Sequence, residues 1–139
     1  YIKGQLVSLP GDIVALPQAY LQVMELLQKT LADVTMVLPP KLYEVDTHPV
    51  AKLRGIRIVE LRNPPAVLDA DHLRSLGIYG SNRKIFDLIR QYQVPAQDGP
   101  AYALSRGVNE LFLVGSFYKL PWVHLGYPQD VNKTMKGSF

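Results

Sequence analysis

The chain of 139 residues is 47% hydrophobic and 19% charged, the balance of a packed globule and too apolar for a disordered polymer. It contains no cysteine, which excludes disulfides, thiolate metal ligands and a cysteine nucleophile, and no apolar run reaches the ~18–20 residues that cross a bilayer. The net charge of +3 is unevenly spread: residues 1–50 hold three lysines against five carboxylates, whereas residues 51–62 hold Lys52, Arg54, Arg57 and Arg62 against Glu60 alone. A basic segment of this kind suits phosphate or an acidic partner, and equally a solvated strand face.

The first residue is Tyr1, which fits a processed product or part of a longer chain. Residues 1–8 alternate as a strand and stop at the turn dipeptide Pro10-Gly11. From Leu16 the period changes: Leu16, Tyr20, Val23, Met24, Leu27, Leu31 and Val34 recur at three- and four-residue steps and predict a long helix with Pro17 in its first turn. Glu25 and Lys29 add a favourably oriented pair four apart. Thr35 to Leu38 reads as a short buried strand closed by Pro39-Pro40, which Lys41 to Val45 resumes. Leu53 to Arg62 reads as a strand whose hydrophobic phase shifts after Ile58, the mark of a bulge or of burial on both faces.

Beyond Pro64-Pro65, Asp69 offers an N-cap for a short helix through Leu76 that stops at Gly77. Ser81 or Asn82 caps a second helix bearing Ile85, Phe86, Leu88 and Ile89 on its apolar side, ended by Pro95. Tyr102 to Arg106 and Glu110 to Phe117 flank Gly107-Val108-Asn109 and predict a β-hairpin. Residues 120–139 lack periodicity, carry four Pro and Gly residues, and read as an irregular arm appended to a domain of residues 1–119. The expected fold is α+β: a small mixed or antiparallel sheet packed by the long helix and a helix pair, with a C-terminal hairpin and the arm.

Little here converges on chemistry. His48, His72 and His124 stand at no metal-ligand spacing, and there is no Gly-x-Ser-x-Gly elbow, Gly-Lys-Ser/Thr loop or Gly-x-Gly-x-x-Gly turn. His72 beside Asp71 reads as an exposed histidine near a helix start. The carboxylate pairs Asp69/Asp71 and Glu44/Asp46 read as caps and solvated strand residues. No catalytic, cofactor-binding or metal-binding residue is assigned, and the sequence predicts a non-enzymatic chain.

Two roles then compete. Leu76-Gly77-Ile78 followed by Ser81-Asn82-Arg83-Lys84, a helix to Tyr92 and a hairpin resembles the winged-helix class of helix-turn-helix domains, although Tyr79-Gly80 lengthens the turn and Arg106 is the sole cation at the tip of the wing. The resemblance implies DNA or RNA binding through Arg83, Lys84, Arg90 and Arg106. Against it stands the arm, where Trp122, Val123, Leu125 and Tyr127 are large apolar groups on irregular backbone, suited to docking on a neighbouring protein subunit. This second role is preferred: a structural subunit of a homo- or hetero-oligomeric assembly, such as a virion neck or tail or a secretion complex, soluble in the cytoplasm or virion.

Overall fold

The structure, a computed structural model, describes residues 4–8, 13–40, 49–63, 72–95 and 99–125. Along the chain run β1 (Leu6–Ser8), β2 (Ile13–Ala15), α1 (Pro17–Thr30), β3 (Val34–Leu38), β4 (Val50–Arg54), β5 (Arg57–Arg62), β6 (His72–Arg74), β7 (Tyr79–Ser81), α2 (Lys84–Gln91), α3 (Gly99–Gly107), β8 (Leu113–Phe117) and β9 (Trp122–His124). Seven strands form one mixed sheet in the order β1-β7-β3-β8-β5-β4-β6, in which β3 and β8 are parallel and every other pairing is antiparallel. β2 and β9 make a separate two-stranded ribbon. The α+β expectation therefore holds.

The long helix forms where its periodicity places it. Pro17 sits at its start, where no N–H is required, and Ala19, Val23 and Leu27, four apart, are buried along one stripe. Burying a Val or Leu side chain contributes about 1.5–3 kcal/mol each, against a few tenths for the exposed Glu25–Lys29 pair, so packing decides the helix. All five residues of β3 are buried. Val34, Met36 and Leu38 meet Ile85, Leu88, Ala103 and Leu104 of α2 and α3, while Val37 joins Ala19 and Val23 of α1 on the other side. A strand covered on both faces needs a continuous apolar run, which is why Val34–Leu38 shows no alternation.

Three predicted elements are corrected. The strand expected over residues 53–62 is a hairpin, because the chain turns at Gly55-Ile56 with Gly55 at φ 63°. Glycine at the first of two loop residues, with positive φ there alone, is the type II′ arrangement that matches the twist of paired strands. The anticipated bulge is real, and falls at a register shift between Lys52 and Leu53. The helix expected from Asp69 to Leu76 contains β6 instead; Leu73 pairs with Ala51, and sheet pairing outweighs a weak capping signal. Residues 64–71 lie outside the described residues.

The third correction removes the wing. Tyr102 to Arg106 belongs to α3, with Ala103 and Leu104 fully buried, and Glu110 to Phe117 contains β8 rather than the second arm of a hairpin. Gly107 ends the helix against α2: a Cβ built there would lie 2.4 Å from Leu88 Cδ1. It is a packing glycine, not a loop glycine. Asn82 accepts the Lys84 N–H at 2.9 Å just ahead of the second helix, whose N-cap position is Arg83, while Ser81 ends β7. The arm is likewise not wholly irregular, since Trp122–His124 forms β9. No helix among the described residues is long and apolar enough to cross a membrane.

Candidate functional site

Mixed sheets carry ligands where parallel strands end, because backbone and loops open there onto a crevice. In this chain the carboxyl ends of β3 and β8 are tied to the β2/β9 ribbon through the backbone and side chain of Tyr118. Its N–H donates to the Leu38 carbonyl at 2.9 Å, while its buried hydroxyl accepts the Leu16 N–H at 3.1 Å and donates to the Pro121 carbonyl at 2.9 Å. Gln22 of α1 adds bonds to Ser116 Oγ and the Phe117 carbonyl. Removing the hydroxyl in Tyr118→Phe breaks its bonds to Leu16 and Pro121, which flank the two ribbon strands, and is expected to cost about 1–3 kcal/mol for the two bonds together. Hydrogen exchange should quicken at Ile13–Ala15 and Trp122–His124 and stay slow in β3; unchanged ribbon protection would remove Tyr118 as the tether.

Beside the ribbon, strand alternation sorts β5, β4 and β6 into two faces. Leu73, Ala51 and Leu61 form one row and pack toward α2 and α3. The rows on either side of it, Arg74–Val50–Arg62 and His72–Lys52–Glu60, point the other way, toward the face that carries α1. Arg54 and Arg57 continue that face at the hairpin end, where Arg57 pairs with Val114, a neighbour of Leu27. One surface thus gathers Lys52, Arg54, Arg57, Arg62 and Arg74 against the single carboxylate Glu60 among the described residues.

The inner part of this face is ordered. Glu60 accepts from Arg62 Nε and lies 3.2 Å from Nε2 of the buried His72. The bond from Arg62, followed by that from His72, holds the Glu60 carboxyl below its ordinary range despite partial burial. Arg74 extends to Trp122 of β9, its guanidinium 4.9 Å from the ring centroid, a cation–π contact linking the basic face to the ribbon. The contact sets a guanidinium, a group that takes phosphate oxygens, against a partly buried aromatic ring.

The residues singled out in the sequence are mostly elsewhere. Lys84 pairs with Asp33 at 3.0 Å and Arg90 with Asp87 at 3.6 Å, while Arg106 lies over Tyr102 at 5.3 Å; Arg83 stands at the start of α2. These cations are spread over α2 and α3 without a wing, so the winged-helix reading is withdrawn. Trp122 and Val123 lie in β9, with Val123 opposite Val14, and Leu125 follows it; Tyr127 lies outside the described residues, as do Glu44, Asp46, His48, Asp69 and Asp71. His72 is a buried strand residue, not an exposed helical one. Sequence reasoning missed Arg74 and Tyr118, counted Glu60 only for its charge and set His72 aside as an exposed histidine. A usable signal existed in Lys52 and Arg54, two residues apart in a strand and therefore on one face.

The chain matches no family model and no curated protein. Its fold, however, is similar to that of solved structures. A Bacillus anthracis protein described as a glucose-1-phosphate thymidylyltransferase, in complex with sucrose, superposes with a TM-score of 0.72 at 17% identity, over 98% of this chain and 55% of that one. The likeness is one of fold. An apo UDP-glucose pyrophosphorylase gives 0.75 at 17% identity over 97% and 55%, and the inositol-1-phosphate CTP transferase of T. maritima gives 0.68 at 12% over 99% and 55%. The chain thus spans about half the length of these structures. The likeness overturns the expectation of a non-enzymatic assembly subunit: nearly every residue of this chain has a counterpart in nucleotidyltransferase-type structures. Structural roles had been favoured because no catalytic cluster shows in the sequence, but a fold that brings groups together from distant strands leaves none to see.

Proposed function

We propose that this chain belongs to a nucleotidyltransferase-type enzyme and supplies the surface that holds a phosphorylated sugar or polyol. The observation that carries the reading is the likeness over 97–98% of the chain to structures described as a thymidylyltransferase and a pyrophosphorylase, at TM-scores of 0.72 and 0.75. In such a reaction a phosphate oxygen of the sugar phosphate attacks the α-phosphorus of a nucleoside triphosphate. The new P–O bond replaces the one to the β-phosphate, and pyrophosphate leaves with the bonding pair. This chain's contribution is placement: Arg74 takes the sugar phosphate, Trp122 supports the ring, and the Glu60–Arg62–His72 array keeps the strand face rigid beneath them.

Calorimetric titration with glucose 1-phosphate and UDP-glucose tests this. Saturable binding is expected, weakened at least about tenfold in Arg74→Gln, since a charge-assisted hydrogen bond is worth about 1.5–3 kcal/mol and 1.4 kcal/mol is a factor of ten. Trp122→Ala should act in the same direction. Wild-type protein that binds neither compound, or variants that bind as well as wild type, would count against the assignment.

A further inference from the structure

The β4–β5 hairpin sets two like charges face to face. Arg54 and Arg57 are direct cross-strand partners flanking the Gly55-Ile56 loop, positions whose Cβ atoms stand about 4.5–5.5 Å apart. The loop geometry fixes that register, so the pair cannot slide apart. Like charges so placed destabilise a hairpin, and their separation lies inside the Debye length of about 8–10 Å at ordinary ionic strength, so salt screens them incompletely. Neither guanidinium has a carboxylate partner among the described residues. Glu60, on the same face, is engaged by Arg62 and His72, and Lys52, two residues before Arg54, adds a third cation. Arg57 is meanwhile held over the ring of Phe112, 5.5 Å from its centroid.

We propose that Arg54 and Arg57 form a phosphate clamp, a binding site in which one phosphate group bridges the two guanidiniums. A phosphate presents three oxygens to two planar donor forks, and charge-assisted bonds to it offset the repulsion that the bare hairpin carries. Phe112 fixes one fork, which lowers the entropy lost on binding. The site follows from the hairpin register and stands apart from the sugar-phosphate reading at Arg74 and Trp122. The ligand is a small molecule bearing phosphate; inorganic pyrophosphate and a sugar phosphate are its two natural sources.

The test compares wild type with the R54Q/R57Q double variant, and with K29Q/R90Q, which removes the same charge from exposed positions elsewhere. Calorimetry and thermal unfolding are run in phosphate-free, low-salt buffer with pyrophosphate and, separately, with glucose 1-phosphate. In R54Q/R57Q, affinity for pyrophosphate should fall at least about tenfold, whereas K29Q/R90Q should bind as wild type does. Without anion, R54Q/R57Q should unfold at or above the wild-type midpoint, because the facing charges are gone. The compound whose affinity falls in R54Q/R57Q identifies the source of the phosphate. Equal pyrophosphate affinity in R54Q/R57Q and wild type, or no saturable pyrophosphate binding by wild type, overturns the clamp. Glucose 1-phosphate binding that is lost in Arg74→Gln but kept in R54Q/R57Q would overturn it for the sugar phosphate while leaving the other site standing.

Discussion

Gly80→Ala is expected to destabilise the protein by about 3 kcal/mol, the sum of two effects that overlap in space. Gly80 lies in β7 opposite Thr35, under α1. A Cβ built there would stand 2.7 Å from Thr35 Oγ1, 3.0 Å from the Val23 carbonyl oxygen and 3.3 Å from its carbon. Two of those three atoms are helix backbone, which yields only if α1 shifts as a body. Overpacking of this sort costs about 1–3 kcal/mol. The third atom belongs to a working hydrogen bond: Thr35 Oγ1, fully buried, donates to the Val23 carbonyl at 2.7 Å. Displacing it strands a buried hydroxyl, at about 1–3 kcal/mol more. Urea unfolding should show a lower midpoint with an unchanged slope. Thr35→Ala removes one of the clashing atoms, so the double variant Thr35→Ala/Gly80→Ala should be less destabilised than the two single losses added together. Strict additivity would mean that the helix backbone alone sets the limit.

What could be read from the sequence divides along the range of the interactions involved. The long helix and β3 announced themselves, because burial along one stripe or on both faces writes a local pattern: Val23 and Leu27 four apart, then five consecutive buried residues from Val34. The β6 and α3 segments did not, for opposite reasons. His72–Arg74 is three residues long, too short for any period, and is a strand only because β4 offers a partner. Tyr102–Arg106 alternates by chance, and helical packing of Ala103 and Leu104 against the sheet overrides that. The candidate site was hidden by distance along the chain. Arg74 and Trp122 are forty-eight positions apart, and Glu60 reaches His72 only because two hairpin strands and β6 lie side by side. No motif scan finds such a set, whereas the basic alternation of Lys52 and Arg54 was present and was weighed as a solvated face.

The opposite end of the sheet depends on one carboxylate, and Asp33→Ala is expected to cost about 3 kcal/mol at neutral pH. Asp33 Oδ2 accepts the Phe112 N–H at 2.9 Å, and Oδ1 accepts from Asn82 Nδ2 at 2.9 Å and Lys84 Nζ at 3.0 Å. Three elements are thereby joined where β3 and β8 begin. Burial alone would raise the acid's pKa, but the bonds from Phe112, Asn82 and Lys84 outweigh it and hold the carboxyl below its ordinary range. A group depressed in the folded state stabilises above its unfolded pKa of about 3.9, and that contribution disappears as pH falls through the lower folded value. The gap between wild type and Asp33→Ala should therefore be constant from about pH 6 to 8 and close progressively below about pH 4. Asp33→Asn, which keeps an acceptor for Phe112 but no charge, should fall between the two at neutral pH. Salt should erode only the share due to Lys84, whose side chain is 64% exposed, and leave the bond to Phe112 intact. Because this clamp lies at the amino ends of the parallel strands, away from Trp122, affinity for glucose 1-phosphate at pH 7.5 should be unchanged in Asp33→Asn. Unfolding curves for Asp33→Ala and wild type that stay parallel down to pH 3 would mean that the carboxylate contributes nothing beyond its shape.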